Sequence, residues 1–101
     1  MNQEEAVEQL KAAGLRTHDL GQFGIIGGGF VDRSAGIGMV QDCYSLKPNP
    51  DGSYETQIDN LHLTQDMPLD EAIALIIKSI KPGVDIEAPP RRGTPGQSQE
   101  Y

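Results

Sequence analysis

With 101 residues, 37% of them apolar, and five aromatic side chains (Phe23, Phe30, Tyr44, Tyr54 and Tyr101), the chain has material for one domain whose core rests on Leu, Ile and Val. Its 15 acidic and 8 basic residues leave a formal charge of −7, a field that repels phosphate backbones and anionic bilayers and argues against nucleic acid and membrane as partners. Cys43 is the single cysteine, which excludes an intramolecular disulfide and any zinc site built from several thiolates of this chain.

The opening Met-Asn-Gln-Glu-Glu carries neither the basic region nor the apolar run of a secretory signal. No stretch approaches the roughly 18 to 20 apolar residues of a membrane span. The expectation is a soluble protein of the reducing cytoplasm.

In chain order, Ala6, Val7, Leu10 and Ala13 share one helical face, with Glu4, Glu5 and Glu8 toward the positive end of the helix and Lys11 toward the negative end. This predicts a helix over 2–13, stopped by Gly14 in a left-handed conformation with Leu15 folded back over the last turn. The next segment, 21–38, holds seven glycines in 18 residues. Ile25, Ile26, Phe30 and Val31 interrupt them with strand-forming residues, so two short strands or a bulged hairpin are expected.

From Ile37 to Lys47, Val40, Tyr44 and Leu46 alternate with Met39, Gln41, Cys43 and Ser45; Tyr54, Thr56 and Ile58 alternate after the turn Pro48-Asn49-Pro50-Asp51-Gly52. Proline presets the turn, Asp bonds its neighbouring backbone and Gly accepts positive φ, so the two runs read as an antiparallel hairpin. Leu61 and Leu63 fall out of phase with Ile58, which a bend near Asp59 and Asn60 would correct while letting the chain leave the sheet. Leu69, Ala72, Ile73, Ile76, Ile77 and Ile80 form one broad helical stripe, predicting a helix over 68–81 that starts near Asp66 and Pro68 and ends at Pro82-Gly83. Beyond it, Pro and Gly punctuation without apolar period predicts a flexible tail over 88–101, leaving 1–87 as the domain.

The chemical candidates are sparse. His18 and His62 could join Asp19, Asp59 or Cys43 in acid–base or nucleophilic work, but no local motif brings any pair together, so a non-catalytic protein is expected. The glycine-rich segment lacks both a following Gly-Lys-Ser/Thr and a Gly-x-Gly-x-x-Gly, and no cofactor or metal is implied. The one asymmetry lies between Asp42 and Glu71, where Asp42, Asp51, Glu55, Asp59, Asp66, Asp70 and Glu71 face Lys47 alone. A solvated surface accounts for this; the sharper account is an acidic patch aimed at a basic partner protein.

Phe30-Val31-Asp32-Arg33 resembles the Phe-Leu-Val-Arg strand of Src-homology 2 domains, and the order of elements over residues 3–80 is similar. The resemblance implies an anion or phosphopeptide site at Arg33 beside Gly28 and Gly29. Asp32 stands where that strand is apolar and the chain has no tryptophan, so the implication rests on Arg33 alone. The helix–strands–helix order with Leu69-Asp70-Glu71-Ala72, a tetrapeptide common at helix starts, resembles the small acidic immunity proteins that bacteria pair with toxins.

The architecture expected is α+β, with three or four mostly antiparallel strands covered on one face by the two helices. The function expected first is protein binding, as an inhibitor or immunity-type protein that masks a basic surface. An anion-binding module around Arg33 and a self-associating structural protein, monomer or homodimer, are the alternatives.

Overall fold

Ala6, Val7 and Leu10 are buried along one side of α1 (Gln3–Ala12), and both ends of this helix are chemically closed. Asn2 Oδ1 accepts the Glu5 N–H at 2.8 Å, while the Glu5 carboxylate accepts the Asn2 N–H at 2.9 Å. This capping box satisfies donors that a helix start leaves without partners. At the far end Gly14 adopts φ +87; its N–H reaches Lys11 O at 2.9 Å and the Leu15 N–H reaches Leu10 O at 3.1 Å. These two bonds make the Schellman closure that only a residue tolerant of positive φ permits readily.

The computed structural model describes residues 1–34, 36, 38–83 and the backbone of 86–87; the expected tail over 88–101 lies outside the described residues. After α1 come β1 (Arg16–Asp19), β2 (Ile25–Gly28), β3 (Phe30–Arg33), β4 (Met39–Gln41), β5 (Tyr44–Pro48), β6 (Tyr54–Ile58), β7 (Leu63–Met67), α2 (Leu69–Ser79) and β8 (Ile86–Glu87). Among the described residues these form an antiparallel five-stranded sheet in the order β1-β2-β5-β6-β7 and a small sheet in the order β4-β3-β8. In the small sheet β3 runs antiparallel to β4 and parallel to β8.

The mixed α+β class is as expected, but the strands exceed the three or four anticipated. The run 37–47 is not one strand, because Asp42 takes φ +53 and turns the chain from β4 in the small sheet to β5 in the large one. The glycine-rich segment forms two short strands, β2 and β3, and not a hairpin; Gly29 passes the chain between the two sheets. After Ile58 the chain does not leave the sheet. A 3-10 turn over Asp59–Leu61 and a left-handed His62 at φ +49 reverse it into β7, antiparallel to β6. Asp66 therefore lies in β7, and Pro68 alone stands at the start of α2.

The β5–β6 hairpin forms as its turn chemistry dictates, with Tyr44 opposite Ile58 and Pro48 opposite Tyr54. The Asn49 N–H bonds Ser53 O at 2.8 Å, and Gly52 sits at φ +93. Strand alternation places Thr17, Ile25, Tyr44, Leu46, Thr56, Ile58 and Met67 on one face, all buried. Onto this face α2 lays Leu69, Ala72, Ile73, Ile76 and Ile80, and α1 lays Ala6, Val7 and Leu10, closing one apolar cluster. Each fully buried aliphatic side chain contributes about 1.5–3 kcal/mol before conformational entropy is counted.

Gln3 ties three parts of the fold together. Its Nε2 donates to Asp19 Oδ1 at 2.9 Å and to Gly21 O at 2.7 Å, and its Oε1 accepts from the Tyr54 hydroxyl at 2.9 Å. Helix α1 is thereby fastened both to the β1–β2 connection and to β6. Gln3→Ala is expected to cost about 1–2 kcal/mol. Thermal unfolding by circular dichroism would register this as a fall of roughly 4–8 °C per kcal/mol in a domain of this size.

Candidate functional site

Because both helices pack on one face of the large sheet, its other face is open. Strand register fixes what that face displays: a row His18, Ile26, Ser45, Gln57 and Thr64, and beside it a row Lys47, Glu55 and Asp66. Ile26 is 43% exposed. Together with His18, Gly27, Val40, Cys43 and Tyr44 it lines an apolar recess of ≈ 270 Å³. Strand β4 borders this recess and adds exposed Met39 and Val40, while Phe23, in the turn before β2, is also exposed.

The glycines of β2 shape this region. A Cβ on Gly27 would stand 1.9 Å from Arg16 O and 2.6 Å from the Tyr44 hydroxyl. That hydroxyl is buried and donates to Arg16 O at 2.9 Å, with Thr17 Oγ1 2.8 Å away. Burial pushes the Tyr44 pKa up, against the smaller lowering by the Thr17 hydrogen bond. At Gly28 the Cβ position lies 2.4 Å from Val40 Cγ1, and at Gly29 it lies 2.7 Å from Lys81 O. The Gly29 N–H is already donated to Gln41 O at 2.8 Å. The Cβ positions of Gly28 and Gly29 are thus filled by the chain itself.

Arg33 lies exposed on β3, with the Cβ position of Gly38 3.5 Å from its Cγ and Nε. Its neighbour Asp32 accepts the Ser34 N–H at 2.9 Å and the Ser34 hydroxyl at 2.7 Å. These bonds hold the Asp32 carboxyl below its usual range.

The seven carboxylates singled out from the sequence divide into groups. Glu55 and Asp66 are direct cross-strand neighbours on the open face. Bonds from Asn49 N–H to Ser53 O and from Asp59 N–H to Cys43 O set the phase of the β5–β6 ladder. Glu55 therefore exchanges its backbone bonds with Lys47, and its pairing with Asp66 is the non-hydrogen-bonded kind, in which side chains come closest. Asp66 Oδ1 also accepts from Asn49 Nδ2 at 3.0 Å.

Asp51, in the hairpin turn, accepts the Ser53 hydroxyl at 2.6 Å and the Ser53 N–H at 2.9 Å, and both bonds lower its pKa. Asp70 borders a groove beside the same turn, with Asn49 and Ser53. Asp51, Glu55, Asp66 and Asp70 thus gather at the turn end of the hairpin. Asp42 and Asp59 lie at its opposite end beside Cys43, and Glu71 is exposed in the first turn of α2. The sequence reading missed the apolar recess at the Cys43 end. Adjacent Ile25 and Ile26 in one strand held the signal, since successive side chains point to opposite faces.

Cys43 donates its thiol to Val40 O at 3.3 Å. Burial raises its pKa, and the charges of Asp59 and Asp42 raise it further. Less thiolate is then present at any given pH, the reverse of an activated nucleophile. Alkylation by iodoacetamide at pH 8 is expected to run several-fold slower than for free cysteine, to accelerate only at higher pH, and to speed up in Asp59→Asn.

Among the described residues no group of three or more His, Cys, Asp or Glu is placed to hold a metal ion, and no helix is long and apolar enough to cross a membrane. No protein family matches the chain, and neither the curated proteins nor the solved structures include a significant match.

Proposed function

We propose that this chain is a non-catalytic protein-binding domain, an inhibitor or immunity-type protein, that masks a basic surface on its partner with the open face of its large sheet. The observation that carries the reading is the composition of that face. An apolar recess around Ile26 and Val40 offers a dry patch, and toward the turn end of the same face Glu55 and Asp66 offer two carboxylates against Lys47 alone. Apolar surface with polar groups beside it is the usual anatomy of a protein interface.

Like charges directly opposite on neighbouring strands destabilise a sheet by about 0.2–1 kcal/mol. A cationic partner would convert that cost into attraction and into faster, salt-dependent association. Asp66→Asn keeps the acceptor for Asn49 and removes the repulsion, so the isolated domain is expected to melt a few degrees higher. Capture from the native host tests the function itself. The wild-type chain is expected to retain one basic protein at one-to-one stoichiometry, released by salt, and Ile26→Asp and Asp66→Asn baits to retain less of it. Recovery of only further copies of this chain, or equal recovery by all three baits, would refute the reading.

A further inference from the structure

The open face does not absorb one other feature, the edge of the large sheet at β1. We propose that this edge is a second binding site, which takes an extended acidic peptide as an added strand. The register of the β1–β2 hairpin, with Thr17 opposite Gly27 and the Leu20 N–H bonded to Gly24 O at 2.8 Å, sets the alternation of its ladder. Residues 16 and 18 bond toward β2, so the N–H and C=O of Thr17 and Asp19 are directed to the outer side. Among the described residues β1 is an edge strand of its sheet. Outward-directed backbone groups of this kind are the template that strand addition uses.

Charge selects the occupant. A cleft of ≈ 540 Å³ runs along this edge, and Lys11, Arg16 and His18 line it together with Thr17. Gly14, Leu15 and Gly83 complete its lining. Lys11 and Arg16 are two of only eight Lys and Arg in a chain of net charge −7, so this cleft opposes the sign of the molecule as a whole. Asp19 accepts the Gly21 N–H at 2.8 Å and Gln3 Nε2 at 2.9 Å, and the Lys11 charge adds a smaller lowering of its pKa. A peptide strand with carboxylates on alternate residues would place its backbone against Thr17 and its charges beside Lys11 and Arg16.

The test is an NMR titration of the isotope-labelled full chain with an acetylated, amidated octapeptide of alternating Thr and Glu. Controls are the alternating Thr and Lys octapeptide, the Thr-Glu peptide N-methylated at every residue, and inorganic phosphate. The expected result is saturable shifts of the Thr17 and Asp19 amides with the Thr-Glu peptide. N-methylation should abolish them, and Lys11→Glu should weaken binding roughly tenfold while the chain stays cooperatively folded, its melting temperature lowered by several degrees at most for the charge reversed at the end of α1. Equal binding of the Thr-Lys peptide, displacement by phosphate at comparable concentration, shifts at the opposite edge around Thr64 and Asp66, or no saturable shift would each overturn it. Because the probe reports on β1, failure here is distinguishable from failure of the open-face reading, which rests on Ile26 and Asp66.

Discussion

Ile76→Asp is expected to abolish the cooperative unfolding transition. Ile76 is fully buried at the centre of the stripe that α2 lays on the sheet, within the same cluster as Ile73 and Ile80. Truncating such a side chain to alanine costs about 2–5 kcal/mol, and a carboxylate left there without a partner adds a desolvation penalty of several more. Small domains hold about 5–15 kcal/mol in total, so the aspartate variant should be unfolded at 25 °C. Ile76→Ala should remain folded with a clearly lowered denaturant midpoint. Ile77→Asp is the control, since Ile77 is 39% exposed on the same helix and its substitution should cost far less. Equal effects at 76 and 77 would mean that the helix presents a different face to the sheet.

Gly27→Ala is expected to be nearly as damaging, although it adds a single methyl group. The added carbon would stand 1.9 Å from the carbonyl oxygen of Arg16, which is backbone and cannot rotate away. Strand β1 would have to shift, breaking the bond from the Tyr44 hydroxyl to Arg16 O and disturbing Thr17 beside it. Overpacking in a tight interior costs about 1–3 kcal/mol and sometimes more, and a buried polar group left unpaired adds about 1–3 kcal/mol. Urea denaturation of Gly27→Ala should show a loss at or above the sum of the lower ends of these ranges. Gly52→Ala, where nothing lies within 4 Å of the Cβ position, suffers only the strain of its positive φ and should lose less.

Where the sequence was legible, several local signals agreed. In α2 the apolar stripe, the acidic first turn and the Pro82-Gly83 stop all point to one helix, and it spans Leu69–Ser79. In α1 the glycine stop works as its chemistry requires. The β5–β6 hairpin follows from the residues of its turn.

Strand β1 was not legible because Arg16-Thr17-His18-Asp19 contains no large apolar residue; an edge strand needs only Thr17 on the core face. Strand β7 was obscured by the reversal at Asp59–Leu61, since a left-handed histidine at 62 cannot be anticipated from hydrophobic period. The same holds for Asp42, whose positive φ divides what reads as one alternating strand.

The candidate site shows the same division. The acidic surplus was visible as composition, but composition carries no geometry. Only strand register reveals that Glu55 faces Asp66 while Asp42 and Asp59 sit at the other end of the hairpin. Gly28 and Gly29 suit either a close approach of neighbouring chain or an anion beside Arg33, and their Cβ positions are met by Val40, Ile80 and the backbone of Gln41 and Lys81. A glycine that admits a ligand and a glycine that admits a neighbouring strand are alike in sequence.

The central claim, that the open sheet face binds the partner, is tested most directly by methyl NMR of the chain carrying labelled isoleucines, titrated with the captured basic protein. Ile26 on the open face and Ile77 on α2 are similarly exposed, at 43% and 39%, and report on opposite sides of the sheet. Selective shift and broadening of the Ile26 methyl signals with Ile77 unchanged is the predicted result; perturbation of Ile77 with Ile26 unchanged would contradict it.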